Sequence, residues 1–274
     1  MRVFISIDLE GISGVYSEEQ TELGDAAYAR DIDLMRADLD AALAGCVAAG
    51  ADEVVVCDAH DHSANLSFRE LPSGVTLVSG TPTPLSMMTG IDASFAAALF
   101  VGYHARAGTA AAVMDHTYVG FVFRVRLDEH LEVGEVGINA GVAGAFGVPV
   151  VFVSGDDKVV REAAELVPGI ETAAVKVGVA RTAARLLAPD EAHRRIREGV
   201  ERALSAERKP EPLRFEGMPM RVVFMKTEYC DRASRCPAVT RVDARAIDIE
   251  APDYLTVYRT FLTAVDLAAG AANA

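Results

Sequence analysis

The chain has 274 residues, 51% of them hydrophobic and 24% charged, with a formal net charge of -14 and no tryptophan. That length can bury a sizeable core in one large domain or two modest ones, and the acidic balance excludes the basic face that nucleic acid requires. No apolar run reaches membrane-spanning length, and no basic region followed by an apolar one opens the chain, so a cytoplasmic protein with no membrane partner is expected.

In chain order, Arg2 to Ile7 is a short apolar strand that breaks at the polar stretch Asp8 to Gly14. A long helix follows, with Tyr28, Ile32, Met35, Leu39, Leu43 and Cys46 at three- and four-residue steps and Gly50 as its stop. Glu53 to Cys57 is a buried strand ending at Asp58-Ala-His60, which gives strand, helix and strand with a crossover long enough for parallel pairing. Val75 to Ser79 and Ala97 to Tyr103 are further strands, and Phe121 to Leu127 alternates like a strand with one wet face. Glu135 to Phe146 reads as a helix despite its glycines. The strand Val148 to Ser154, the helix Asp156 to Leu166, the strand Glu171 to Val177 and the amphipathic helix Pro189 to Glu207 come next. Arg208-Lys-Pro-Glu-Pro reads as a linker or surface crossing. Strands at Met220 to Met225 and Ala244 to Ile249 precede a closing helix from Pro252. This alternation predicts an α/β fold, three-layer α/β/α with a largely parallel sheet over residues 1–190, and a smaller α+β portion over residues 191–274.

The chemistry gathers at strand ends. Asp8 and Glu10 stand two apart where the first strand stops, so an extended chain points both carboxylates to one side. Like charges so close repel unless a proton or cation lies between them. Read alone, the pair is more simply two solvated loop acids. His60 follows the second strand in Asp58-Ala-His60-Asp61-His62, and His104 follows a later apolar strand in Gly102-Tyr-His104-Ala-Arg106. Ligands of α/β sheets collect at the carboxyl ends of strands. An acid pair and two histidines at three such ends therefore point to one crevice holding zinc, manganese or another divalent ion. Asp58 is a candidate to orient an imidazole, and His62 reads as a neighbour only.

Two further residues read both ways. His116, in the polar break Met114-Asp-His116-Thr, is either a general acid/base or nucleophile beside the metal, or a turn histidine. Glu135, in Gly134-Glu-Val-Gly137-Ile-Asn139, is either a ligand or a first-turn acid favoured by the helix dipole. There is no GxGxxG or phosphate loop in the right context, no GxSxG elbow and no HExxH. Asp156-Asp157 reads as a helix cap. Of the four cysteines, Cys46 and Cys57 read as buried thiols, while Cys230 and Cys236 could bridge but would stay reduced in a cytoplasm.

Taken in order, these residues resemble a family: the DppA-type D-aminopeptidases, peptidase family M55. The matching segments are Ser6-Ile-Asp8-Leu-Glu10-Gly11-Ile-Ser13-Gly14, Asp58-Ala-His60, Asn65-Leu66, Ser79-Gly80 and Phe100-Val-Gly102-Tyr-His104-Ala-Arg106. They continue with His116-Thr117, Gly134-Glu135-Val-Gly-Ile-Asn139-Ala, Ser154-Gly-Asp156-Asp157 and Thr172-Ala-Ala-Val-Lys176. The likeness runs from residue 2 to residue 190 and loosens beyond it, and Tyr229 to Pro237 departs from it.

The resemblance implies a zinc-dependent aminopeptidase that hydrolyses short peptides with an N-terminal D-amino acid, D-Ala above all. The attack on the scissile amide is expected from metal-activated water, with direct attack by the His116 imidazole as the alternative that the family description implies. It implies two Zn2+ per subunit, with Asp8, Glu10, His60, His104 and Glu135 matching the metal ligands and His116 matching the residue described as nucleophile. It also implies a homodecamer of two stacked pentamers. Two other readings stand beside it. One is a dinuclear-metal amidohydrolase or phosphoesterase acting on another small substrate, though Arg106 is the only basic group evidently placed to hold a phosphate. The other is a non-catalytic peptide-binding protein of a transport system, which has no need of five convergent ligands.

Overall fold

Short runs of Val, Ile, Phe and Ala build two sheets in the computed structural model, which describes residues 1–128 and 130–271. The strands are β1 (Arg2–Ile7), β2 (Glu53–Asp58), β3 (Val75–Val78), β4 (Ala97–Tyr103), β5 (Val122–Leu127), β6 (Leu131–Val133), β7 (Val150–Asp156), β8 (Glu171–Ala180), β9 (Ala183–Leu186), β10 (Met220–Phe224), β11 (Val239–Arg241) and β12 (Ala246–Ile249). The helices are α1 (Ala26–Asp31), α2 (Asp33–Ala48), α3 (Glu135–Ala145), α4 (Val159–Leu166), α5 (Pro189–Ser205), α6 (Thr227–Ala233) and α7 (Tyr254–Ala269).

The larger sheet runs β3-β2-β1-β4-β7-β8-β9, parallel throughout except for the antiparallel β8–β9 edge. Its central strands are buried on both faces, as parallel strands covered by helices must be. Alternate side chains serve different cores. Val3, Ile5 and Ile7 of β1 pack with α2 and α5, while Phe4 packs in the core on the opposite face, which includes α3 and α7. In β4, Leu99 and Val101 join the first core and Ala98 and Phe100 the second. This is the α/β layering with a largely parallel sheet that the sequence predicts.

From β1 the chain winds outward through α2 to β2, and from β4 it winds the other way through α3 to β7. Right-handed crossovers in opposite directions place their helices on opposite faces. The carboxyl ends of the neighbouring strands β1 and β4 therefore border the crevice where the winding reverses, which is where ligands of such sheets bind.

The second sheet, β11-β12-β10-β5-β6, is antiparallel and draws strands from two distant parts of the chain. The helix expected to run unbroken from Tyr28 to Cys46 is two, α1 and α2. They meet at Ile32, whose carbonyl bonds Met35 N–H in a three-residue step. Strand β7 continues to Asp156, whose Oδ1 caps Lys158 N and Val159 N at 2.9 Å each, so α4 begins at Val159. The strands β6, β9 and β11 and the helix α6 are too short to leave a periodic pattern. All four cysteines are free and buried. No helix among the described residues is long and apolar enough to cross a membrane.

Candidate metal centre

The chain leaving β1 runs against the end of β4 at a distance only glycine permits. Gly11 N–H bonds Gly102 O at 2.7 Å, and a Cβ on Gly11 would lie 2.0 Å from Tyr103 O. Gly102 itself has φ +70, and a Cβ there would lie 2.4 Å from Asp8 O. This backbone contact brings Asp8 and Glu10 to His104. After β2, the Asp58 carboxylate accepts Asn65 N at 2.6 Å, Asn65 Nδ2 at 2.8 Å and Leu66 N at 2.9 Å, while Asn65 Nδ2 also bonds His60 O at 2.9 Å. Asp58 thus closes the loop that carries His60. The orienting role expected for it acts on the backbone and not on the ring. Glu135 opens α3, and its Oε1 accepts Tyr118 N at 2.6 Å.

All six residues singled out from the sequence meet. His60 Nδ1 lies 3.0 Å from Glu10 Oε2 and 3.3 Å from Asp8 Oδ1. His104 Nε2 lies 3.2 Å from Glu135 Oε1 and 3.5 Å from Asp8 Oδ2. His116 Nε2 lies 3.6 Å from Glu135 Oε1 and 4.0 Å from Glu10 Oε1. His62 pairs only with its neighbour Asp61, outside the cluster.

Each of the three rings turns its other nitrogen to a backbone carbonyl. His60 Nε2 donates to Thr21 O at 2.9 Å, His104 Nδ1 to Ala105 O at 3.0 Å and His116 Nδ1 to Met114 O at 2.9 Å. A carbonyl can only accept, so these nitrogens carry the hydrogen. In a neutral ring, the nitrogen facing the carboxylates is then an acceptor facing acceptors. Only a proton or a cation between them reconciles the arrangement, and a backbone-anchored imidazole is how metal-binding histidines are oriented. Asp8 Oδ2 and His104 Nε2, both buried, have no hydrogen-bond partner. Asp8, Glu10 and His104 form one group able to hold an ion, and His104, His116 and Glu135 form another.

Charge confirms the strain of this cluster without a cation. Burial, then the charge of Glu10, pushes Asp8 up to about 8. Burial opposes the charge of Glu10 as well, but His60 outweighs it and holds that carboxyl well below its usual range. Burial opposes the charge of Glu135 too, and His104 outweighs it to lower that carboxyl. Against burial, Glu10 holds His60 protonated well above 6.5, and Glu135 does so for His104. A mixed carboxylate and imidazole donor set with buried, unpaired oxygen and nitrogen fits Zn2+.

The cluster floors a cleft of about 540 Å3 with Met87, Val119, Leu262 and Val265 among its apolar walls and the exposed acids Glu22, Asp61 and Asp266 also lining it. No Lys or Arg lines it among the described residues. Arg106 lies in a separate groove, paired with Glu132 and Glu162. Beneath the ligands runs a polar chain, buried except at its half-buried end Tyr118, that the sequence did not reveal. Tyr118 Oη donates to Asn139 Oδ1 at 2.7 Å, Asn139 Nδ2 to Tyr103 Oη at 3.0 Å, and Tyr103 Oη meets Ser6 Oγ at 2.7 Å. Each member stands within four residues of a cluster residue. Lys176, which the sequence marks only as the end of a family-like segment, is fully buried and bonded through Nζ to the carbonyl of Glu10. Burial draws its ammonium down to about 8 against the acids Asp156, Asp38 and Glu10.

The chain is similar to known proteins over nearly its whole length. The family model for Peptidase M55, D-aminopeptidase, matches residues 1–263. A D-aminopeptidase of Bacillus subtilis (strain 168) is 35% identical over 270 residues, covering 98% of each chain. A solved structure described as the Zn-dependent D-aminopeptidase DppA from Bacillus subtilis, a self-compartmentalizing protease, superposes with a TM-score of 0.95 at 34% identity and 98% coverage of both chains.

Proposed function

This chain belongs to peptidase family M55, the D-aminopeptidases, and we propose that it is a zinc-dependent aminopeptidase hydrolysing short peptides with an N-terminal D-amino acid. The observation that carries the reading is the arrangement of His60, His104 and His116, each anchored by one nitrogen to a carbonyl and turned by the other toward the carboxylates of Asp8, Glu10 and Glu135. Asp8, Glu10, His60, His104 and Glu135 would hold two zinc ions. Zinc, when bound, supplies Lewis acidity that polarises the scissile carbonyl and lowers the pKa of water.

His116 does the proton work. Burial lowers it from 6.5, and with Nδ1–H donated to Met114 O the neutral ring leaves Nε2 free to accept. That atom can take a proton from the attacking water and return it to the nitrogen of the departing residue, so that water is added across the C–N bond. The acids of the cleft attract the free ammonium that defines an aminopeptidase substrate. That no Lys or Arg lines the cleft among the described residues favours an amide substrate over a phosphoester. The chain acts as a homo-oligomer in the cytoplasm, a decamer if it follows the family resemblance. A solution mass of ten times 29.1 kDa would support that state, and a monomer would overturn it.

Hydrolysis of D-Ala-D-Ala against L-Ala-L-Ala, with and without a chelator, tests the activity. Chelator-sensitive release of D-Ala is expected. Cleavage of neither dipeptide, or cleavage indifferent to the chelator, would overturn the reading.

A further inference from the structure

One ammonium gathers three carbonyls of the loop that carries Glu10. Lys176 projects from β8, is 1% exposed, and donates through Nζ to Glu10 O at 2.5 Å, Ile12 O at 2.9 Å and Val15 O at 2.5 Å. Three simultaneous donations need the charged form, since a neutral amine has two hydrogens. The loop is irregular yet buried from Asp8 to Ser13, so each of its polar groups needs a partner. Leu9 N and Ile12 N find theirs within the loop, and others bond outside it. Gly11 N bonds Gly102 O at 2.7 Å and Ser13 N bonds Asp38 Oδ2 at 2.8 Å. On the carbonyl side, Leu9 O accepts Ile12 N and Ile12 O also accepts Val15 N, both at 3.2 Å, while Glu10 O and Val15 O are held by Lys176.

The other half of the cluster is held differently. Glu135 is fastened by Tyr118 N and His104 by Ala105 O. Lys176 therefore bears on one side of the centre only. We propose that Lys176 is a positioning residue of the metal centre: by clamping the carbonyls of Glu10, Ile12 and Val15, its ammonium sets the Glu10 carboxylate for the ion that Asp8 and Glu10 hold. The role rests on the zinc reading above. It predicts an asymmetry that general destabilisation would not produce.

The test is zinc titration against a chromophoric chelator, with wild type, Lys176→Met and Lys176→Ala compared as full-length proteins. Wild type should take up two ions. Lys176→Met, similar in length but without donors, should keep one at wild-type affinity and bind the other about 10–100-fold more weakly. In Lys176→Ala, added methylammonium should restore the weakened affinity, while tetramethylammonium, which has no N–H to donate, should not. Equal weakening of both ions, no weakening, or rescue by both amines would overturn the inference. So would variants that stay unfolded with and without methylammonium, since Lys176 would then serve folding alone. A wild type that binds no zinc would instead sink the zinc reading, and this inference with it.

Discussion

His104 lies ring on ring against His116, with centroids 4.0 Å apart and planes 13° from parallel, and without a cation their surroundings push the two imidazoles in opposite directions. Burial opposes a charge on both. At His104 the carboxylates of Glu135 and Asp8 overcome it and raise the group well above 6.5. At His116 burial and the charge on His104 prevail over Glu135 and Glu10, and the group falls below 6.5. Their exposure differs in the same sense, at 1% for the His104 side chain and 20% for that of His116. One ring is committed to the cluster, and the other keeps an unprotonated Nε2 toward the cleft.

His116→Ala should therefore lower kcat by about 10²–10⁴-fold, the usual contribution of a positioned acid/base, while the zinc content stays at the wild-type level. Elemental analysis alongside turnover of D-Ala-D-Ala reads both. Full metal with near-normal turnover would remove His116 from catalysis, and loss of an ion would make it a ligand.

Zinc should also stabilise the fold, because an ion bound only by the native chain adds RT ln(1 + [L]/Kd), about 4 kcal/mol at roughly a thousand times Kd. Melting curves with chelator and with zinc should separate, the zinc-loaded protein melting higher. The separation should shrink toward acid pH, since protons compete for Asp8, Glu10, Glu135 and the histidines. His104→Ala, which removes a residue common to both candidate ion groups, should abolish most of the shift. Identical curves for wild type with chelator and with zinc would contradict the site.

How much of this was legible beforehand follows from the range of each interaction. The strands β1, β2 and β4 announce themselves through unbroken apolar runs, and Asp8, His60 and His104 stand just past their ends, so topology alone brings those residues together. Glu135 is different. It reaches the cluster because the chain passes through β5 and β6 before α3 returns to pack on β4 and β7, and β5 pairs with β10 far along the chain. No local pattern encodes that pairing. Family resemblance singled out Glu135 where spacing did not. Lys176 lies 166 residues from Glu10 and binds carbonyls, which every residue possesses, so no choice of partner residue could mark it.

Gly11→Ala should disable the site by backbone displacement alone. The added Cβ would stand 2.0 Å from Tyr103 O and 2.4 Å from the Gly102 carbonyl carbon, both main-chain atoms that a rotamer change cannot move aside. We expect a loss of about 3 kcal/mol or more in stability, at the upper end for overpacking, together with zinc binding. Gly120→Ala, where an added Cβ meets nothing within 4 Å, is the control and should melt like wild type. Equal behaviour of the two variants would refute the close-approach account.

Asp266 lines the cleft from α7, exposed on one side, and partial burial on the other raises its carboxyl above its ordinary range. If it meets the substrate ammonium, Asp266→Asn should raise KM for a dipeptide about threefold to fivefold, the scale of a partly exposed ion pair, with kcat nearly unchanged. A fall in kcat at constant KM would argue against that contact.

The last prediction concerns the helices behind the sheet. Asp38 of α2 is fully buried and accepts Ser13 N at 2.8 Å and Ser13 Oγ at 2.5 Å, while His193 Nε2 of α5 lies 3.4 Å from its Oδ1. Asp38 raises His193 above 6.5. In the window between 6.5 and that raised value, the folded chain holds a proton that the unfolded chain has released. The stabilisation is therefore complete below 6.5 and is lost as pH rises through the folded value. Solvent reaches the His193 side of this pair, so its size is about 0.5 kcal/mol and no more than about 1. Urea unfolding of wild type and His193→Ala should differ by that much more at about pH 5.5 than at about pH 9. The metal-site histidines titrate in both proteins and cancel from the difference. A gap between the two proteins that stays constant with pH would mean that His193 contributes packing, with no charge paired to Asp38.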